Sequence, residues 1–490
     1  MKALLGAFIT AALLAGCGTK ATNYPLAATE TNADRRAIDA EADRPFVVLS
    51  FSGGGSRAAV LAAAVTARLD GITYQTPAGP RRLSQDIAVV SSVSGGSVYA
   101  ADLALRGAGA AEAQAFEKRI GDFDGIGWLE GRALNPATWV QLQFENKTRI
   151  DLLQEMLGDV LQTHATLGEL NVPGKPLFLF NASDMVAGEI FTFDPQTIDD
   201  LCMSFDRMPL TLAATASAAF PIAFTPVLLR NDSYPTCPAK QMPAGNDLQQ
   251  LKGDGGRYAN LEAYRHALYR AKLRRQLPYL DATEPRYIRL LDGGVIDNLG
   301  LTSVRRTLLQ AGGPGSISPL TQQGKLRHLV VISVNARSDP PNDLSTSNRY
   351  TSLATMAGAV ADVLVDSASA ASAASFSGFV TNLAEERGQL MRDLGSKAAF
   401  EIYPISIDFD QLPDTTDTER ADKTAVKSIA TSWTLQNGNV ALLDKVAGEL
   451  LWRHPCFRKL LKNLGAQGTE EAPAVPGVVC PVPSPATPAS

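Results

Sequence analysis

Two apolar runs of strand length, each breaking into glycine and restarting as an apolar helix, constrain this chain most. "PFVVLSF" (45–51) leads through Ser52-Gly53-Gly54-Gly55 into "SRAAVLAAA", and "DIAVVSSV" (86–93) leads through Ser94-Gly95-Gly96 into "SVYAADLAL". A short run without polar alternation, bounded by turn residues, is a strand buried on both faces, so helices must cover both sides of its sheet. Further strand-sized runs, "PLFLFNA", "EIFTF", "YIRLLD" and "RHLVVISVNA", alternate with helical stretches. The expected class is α/β, a three-layer α/β/α sandwich around a mostly parallel sheet.

Composition narrows the function. Over 490 residues, 45% hydrophobic and 19% charged, the chain can bury a large core, and no internal repeat divides it. A net charge of −5 without a basic stripe argues against a nucleic-acid partner. The four histidines, His164, His266, His328 and His454, are scattered, and the cysteine spacings fit no zinc pattern, so neither a metal nor another cofactor is expected.

The N-terminus predicts export. "MKALLGAFITAALLAGC" joins Lys2 to an apolar run and ends in Leu14-Ala15-Gly16-Cys17, a tetrapeptide that resembles a bacterial lipoprotein signal. That resemblance implies removal of residues 1–16 and a lipid on Cys17. The run is shorter than the ~20 residues a bilayer span requires. Gly18 lacks the aspartate of an inner-membrane retention signal, which favours the outer membrane. Polar residues 17–44 then form a lipidated tether, 45–465 the folded domain with insertions, and 466–490 a Pro/Ala-rich tail. The insertions are a loop-like stretch around Cys237 and a helical pattern over 349–392, with Leu353, Met356, Val360 and Val363 on one packing face. An even set of cysteines, Cys202, Cys237, Cys456 and Cys480, suits an oxidising compartment. Three connectivities exist, and proximity favours Cys202 with Cys237 and Cys456 with Cys480.

Three elements carry chemistry. Ser94, in Ser92-Val93-Ser94-Gly95-Gly96, departs from the Gly-x-Ser-x-Gly nucleophile elbow only at its first position, where another small residue stands. Taken alone it could be a chance serine in a tight turn. Gly53-Gly54-Gly55 opens a helix with unobstructed amides, as an oxyanion hole or a phosphate loop requires; both nucleotide-loop patterns are absent. Asp292, in "YIRLLDGGVIDNLG", ends a strand at the edge where open α/β sheets carry their sites, although aspartates also cap turns.

Together these elements resemble the patatin-like phospholipase family, which has a Gly-rich loop ending in Gly-x-Arg, a Gly-x-Ser-x-Gly elbow and an Asp-Gly-Gly motif in this chain order. Here they are Gly53-Gly54-Gly55-Ser56-Arg57, the Ser94 pentapeptide and Asp292-Gly293-Gly294, with further similarity in "FNASDMVAGEIFTF" and "ATASAAFPIAFTPV". The resemblance spans roughly residues 45–410. It implies a patatin-like fold and a Ser94–Asp292 dyad that cleaves phospholipids or related acyl esters without a catalytic histidine, with Gly53, Gly54 and Gly55 as oxyanion hole and Arg57 in a structural role. A Ser-Asp-His triad is the competitor, with His454 as its candidate; His328 opens a strand at the wrong sheet edge. A catalytically silent lipid-binding protein and an acyltransferase using the same dyad are the alternatives of other kinds.

Overall fold

The computed structural model describes residues 21–27, 30, 32, 41–144, 147–221, 223–231, 279, 286–309, 316–338, 356, 363, 365–374, 376–378, 380–381, 400–436, 438–466 and 480. In chain order the strands are β1 (Thr22–Asn23), β2 (Phe46–Phe51), β3 (Thr73–Thr76), β4 (Gly79–Arg82), β5 (Ile87–Val93), β6 (Leu177–Asp184), β7 (Glu189–Phe193), β8 (Val227–Asn231), β9 (Arg286–Asp292), β10 (His328–Asn335) and β11 (Glu401–Asp408). The helices that matter below are α1 (Gly55–Asp70), α2 (Gly95–Arg106), α3 (Ala110–Gly121), α4 (Arg149–Leu161), α5 (Leu210–Ser217), α6 (Leu301–Leu309), α7 (Asn439–Arg453) and α8 (Pro455–Leu464).

Among the described residues a nine-stranded sheet runs β1-β8-β9-β6-β5-β2-β10-β11, with β7 also paired to β6, while β3 and β4 form a separate hairpin. From β6 through β5, β2 and β10 to β11 every pairing is parallel. The continuous apolar runs of β2 and β5 explain their central position. Val47, Leu49 and Phe51 face one core with α1, α2, α3, α4 and α7, and Phe46 and Val48 face a second core with α6. Both faces are therefore covered, as the unalternated runs require.

One strand reaches the site by a different route from the expected one. β9 is antiparallel to β6, with Asp292 opposite Ala182 and Leu290 opposite Asp184. Asp292 thus does not sit at the C-terminal edge of a parallel strand. Its strand enters from that edge and stops level with the end of β5, because Val93 is opposite Asn181 on the same β6.

The tether expected over 17–44 is shorter than its composition implies. Thr22 and Asn23 pair in parallel with Leu229 and Arg230 of β8, the Tyr24 carbonyl accepts from the Ser204 amide (2.8 Å), and Asn32 donates to the Met203 carbonyl (2.6 Å). Backbone pairing needs no apolar periodicity, so a two-residue strand leaves no trace in hydropathy. The packing face expected over 349–392 is also different: Met356 and Val363 are exposed, whereas Ser369, Ser372, Phe376 and Val380 are buried. Small side chains let the later part of this stretch approach the core, where Phe376 and Val380 fill the space. Leu353 and Val360, like Cys17, Cys237 and His266, lie outside the described residues.

Cys456 and Cys480 are disulfide-linked. Cys202 is also disulfide-bonded, and its expected partner lies outside the described residues. No helix among the described residues is long and apolar enough to cross a membrane.

Candidate active site

The elbow is built by packing that only glycine permits after the serine. A Cβ on Gly95 would lie 2.0 Å from the Gly55 carbonyl oxygen, so the start of α2 passes directly against the glycine-rich loop. Between β5 and α2, Ser94 adopts φ 51° and ψ −121°, a region that side-chain-bearing residues rarely occupy. Its amide is held by one residue, donating to both the carbonyl (3.1 Å) and the Oγ (2.9 Å) of Ser217 at the end of α5, while its carbonyl accepts from the Ser97 amide (2.9 Å).

Asp292 meets this elbow directly. Ser94 Oγ donates to Asp292 Oδ2 at 2.7 Å, and Asp292 Oδ1 accepts from the Gly294 amide at 2.8 Å. Both side chains are buried. Burial raises the carboxyl to about 6, against the lowering effect of the hydrogen bonds from Ser94 and Gly294. Among the described residues no cation acts on Asp292, only a hydroxyl and an amide, so desolvation wins.

The segment "ATASAAFP" ties these two residues together. Ser217's carbonyl accepts from the amides of both Ser94 and Gly293, and the Asp292 amide donates to Ala219 (2.9 Å). Ser217 Oγ in turn donates to the Asn181 carbonyl (2.6 Å) and meets Ser97 Oγ at 2.8 Å. The separation between hydroxyl and carboxylate is thus set by a third segment as well as by the two loops themselves. The sequence marks that segment as family-like, but not Ser217's part in it.

The glycine-rich loop supplies fewer free amides than its composition implies. Gly53 donates to the Oδ1 (3.1 Å) and carbonyl (3.2 Å) of Asn298, which lies in the turn after Asp292, so its N–H is already satisfied. The Gly54 and Gly55 amides have no partner among the described residues. Gly55 has φ +60°, and a Cβ there would lie 2.3 Å from the Ser432 carbonyl, which accepts from the Ser56 amide at 2.8 Å. Arg57 is buried, with Nε on the Ala336 carbonyl (2.8 Å) and the rest of its guanidinium on the Ile429 carbonyl and Thr431 Oγ1. It buttresses the loop from behind against residues 429–432, and burial lowers its pKa to about 10. Asn298 lies within the stretch that carries Asp292, where nothing in the sequence marks this role, and Ser432 lies in no motif.

No described histidine completes a triad. His328 opens β10 and bonds the Tyr403 hydroxyl (3.1 Å). His454 caps α8, with Nδ1 accepting from the Cys456 amide (3.2 Å) and its other nitrogen 3.3 Å from the Ser406 amide on β11. Burial lowers its pKa to about 4, which suits a neutral ring at a helix N-terminus. His164 is exposed on the loop after α4. Among the described residues there is no cluster of His, Cys, Asp and Glu that could hold a metal.

Human GIVD cytosolic phospholipase A2 is similar over 60% of this chain and 46% of its own, with 12% identity and a TM-score of 0.33. The chain therefore spans less than half the length of that structure. No curated protein matches the chain significantly. Residues 49–265, which include the Gly53–Gly55 loop and Ser94 but not Asp292, match the family model for patatin-like phospholipase. Residues 49–265 of this chain thus carry a patatin-like phospholipase family-model domain.

Proposed function

We propose that the protein is a serine acyl hydrolase that cleaves fatty-acyl esters of phospholipids or related lipids through a Ser94–Asp292 dyad. The observation that carries this reading is the 2.7 Å hydrogen bond from Ser94 Oγ to a buried carboxylate on which no cation among the described residues acts. An ordinary aspartate, at about 3.9, is a weak base toward a hydroxyl. One held near 6 remains largely ionised at pH 7 yet accepts a proton more readily.

In this mechanism Ser94 Oγ attacks the acyl carbonyl carbon as its proton passes to Asp292 Oδ2. The tetrahedral oxyanion is held by the Gly54 and Gly55 amides, which have no partner among the described residues, while Gly53 anchors the loop through Asn298. Collapse breaks the ester C–O bond, and the proton on Asp292 goes to the leaving alcohol. Water then adds to the acyl-Ser94 with Asp292 again taking the proton; the acyl–Oγ bond breaks, that proton returns to Ser94 Oγ, and fatty acid is released.

The experiment is hydrolysis of a phospholipid panel with covalent labelling by a fluorophosphonate. Wild type is labelled at Ser94 and active, and Ser94→Ala is unlabelled, inactive and equally folded. An active Ser94→Ala variant refutes the dyad. The proposed setting is the bacterial cell envelope, at the outer membrane, with the chain anchored through lipidated Cys17. Loss of lipid labelling in Cys17→Ser tests the anchor, and retained labelling refutes it.

A further inference from the structure

Strand register gives the site an orientation. Asp184 lies three residues beyond Asn181, the partner of Val93, so the β6–β7 turn projects about 10 Å past the elbow along the strand direction. Leu290 pairs with Asp184, and β9 continues back through Arg289 and Tyr287 still farther out. Beside it, Thr22 pairs with Leu229, which pairs with Ile288. The first residue of β1 therefore stands at the edge of the sheet from which Ser94 is reached.

Two observations follow from that register. Cys17 precedes Thr22 by five residues, a reach of at most about 18 Å even when fully extended. On the anchor reading, a lipid on Cys17 lies within that distance of Thr22. The same edge exposes apolar side chains: Met185 (52%) and Val186 (57%) at the tip of the β6–β7 turn, and Tyr287 (40%) on the same strand face as exposed Arg289. Exposed apolar tips next to an aromatic–arginine pair suit the boundary between acyl chains and headgroups. Across the site, Ile126 is exposed where its helix begins, bonded to Thr434 beside the Trp433 and Ser432 buttress of the glycine loop.

We infer that the sheet edge carrying Ser94 docks on the lipid bilayer that anchors the chain, with Met185 and Val186 inserted, so that the enzyme draws its substrate from that membrane. This rests on the acyl-hydrolase and Cys17-anchor readings above. It adds a partner, a bilayer surface, and a geometry: the active site faces the membrane.

The test uses the lipidated full chain in vesicles of phosphatidylethanolamine and phosphatidylglycerol, assayed on vesicle lipid and on a soluble short-chain ester. In the double variant Met185→Asp/Val186→Asp, hydrolysis of vesicle lipid falls at least about tenfold as two apolar contacts are lost. Hydrolysis of the soluble ester stays within about twofold, as for surface changes away from a site, and shows that the variant is folded. Separately, Val186→Trp adds tryptophan fluorescence that brominated lipids quench. Unquenched added fluorescence, or a double variant as active as wild type on vesicles, overturns the docking. Quenching by a wild-type-like chain that hydrolyses neither substrate supports the docking and overturns the hydrolase reading instead.

Discussion

Replacing Asp292 with Asn should make the protein more stable and inactive, and the stability gain should depend on pH in a direction fixed by the site. The folded carboxyl titrates at about 6, and in the unfolded chain an aspartate titrates near 3.9. Between those values the folded protein binds more protons than the unfolded one, so this group's contribution to stability falls as pH rises through the window. Below about pH 4 both states are protonated and the carboxyl costs nothing. Above about pH 6 its ionisation in a buried pocket costs about 3 kcal/mol, taking roughly 1.4 kcal/mol per pKa unit. Asn keeps the acceptor for the Gly294 amide and can donate to Ser94 Oγ, so both hydrogen bonds have a replacement while the charge is gone. The gap between Asp292→Asn and wild type should therefore be near zero at pH 4 and approach about 3 kcal/mol at pH 8, a few degrees in melting temperature. Urea unfolding at both pH values measures it. Hydrolysis by the variant should fall by roughly 10²–10⁴-fold, and wild-type kcat/KM should rise with pH to a plateau above about 6. A variant less stable than wild type at pH 8, or a gap of equal size at both pH values, would falsify the picture of a desolvated base.

Three further variants separate parts of the site. Ser217→Ala keeps the carbonyl that holds Ser94 and Gly293 but removes the hydroxyl that holds Ser94, Ser97 and Asn181; kcat should fall about 10- to 100-fold with KM little changed, as steady-state kinetics will show. Gly55→Ala sets a methyl 2.3 Å from the Ser432 carbonyl at a positive φ, so the loop must move, and kcat should drop at least about 10²-fold while the Ser94 side chain stays in place. Full activity in that variant removes the loop from the oxyanion hole. His454→Ala should retain activity, because the ring serves α8 and β11, and should lose about 1 kcal/mol of stability at pH 7 as a lost N-cap. With its folded pKa lowered to about 4, His454 contributes stability that disappears as pH falls from about 6.5 to 4, so the alanine variant should show a flatter acid limb. Loss of hydrolysis equal to that of Ser94→Ala would instead establish a triad.

What the sequence makes legible here is whatever is contiguous. Buried strands, the elbow and the Gly-rich loop each occupy a stretch short enough for apolar runs and glycines to mark them, and each lies where its residues predict. Contacts between distant segments leave no such mark. Gly53 is held by Asn298, 245 residues away, and Ser94 by Ser217, 123 residues away, and neither partner has a side chain that announces the role. The direction of β9 is hidden for the same reason. "YIRLLD" has the same hydropathy in either orientation, and only its pairing with β6 shows that Asp292 arrives from the opposite direction. β1 is too short to carry a period, and the Ala/Ser-rich stretch reaches the second core mainly with small residues, with Phe376 and Val380 too few to mark a packing face.

The departure at Ser92 shows how a local rule and a distant contact combine. An elbow needs a small residue at that position, and glycine is the usual solution; a serine satisfies the space but adds a hydroxyl buried in the centre of the sheet. An unpaired hydroxyl there would cost about 1–3 kcal/mol. It is not unpaired: Ser97 Oγ lies 3.0 Å from Ser92 Oγ and 2.8 Å from Ser217 Oγ, and Ser217 Oγ donates to the Asn181 carbonyl. The extra hydroxyl thus joins the chain that fixes the Ser94 amide. In this protein the first position of the elbow supports the Ser94 turn through hydrogen bonds as well as making room for it. Ser92, Ser97 and Ser217 should then be coupled: once Ser217→Ala has broken the chain, Ser92→Gly should cost less activity than it does in wild type. Equal losses in both backgrounds would mean that Ser92 only fills space.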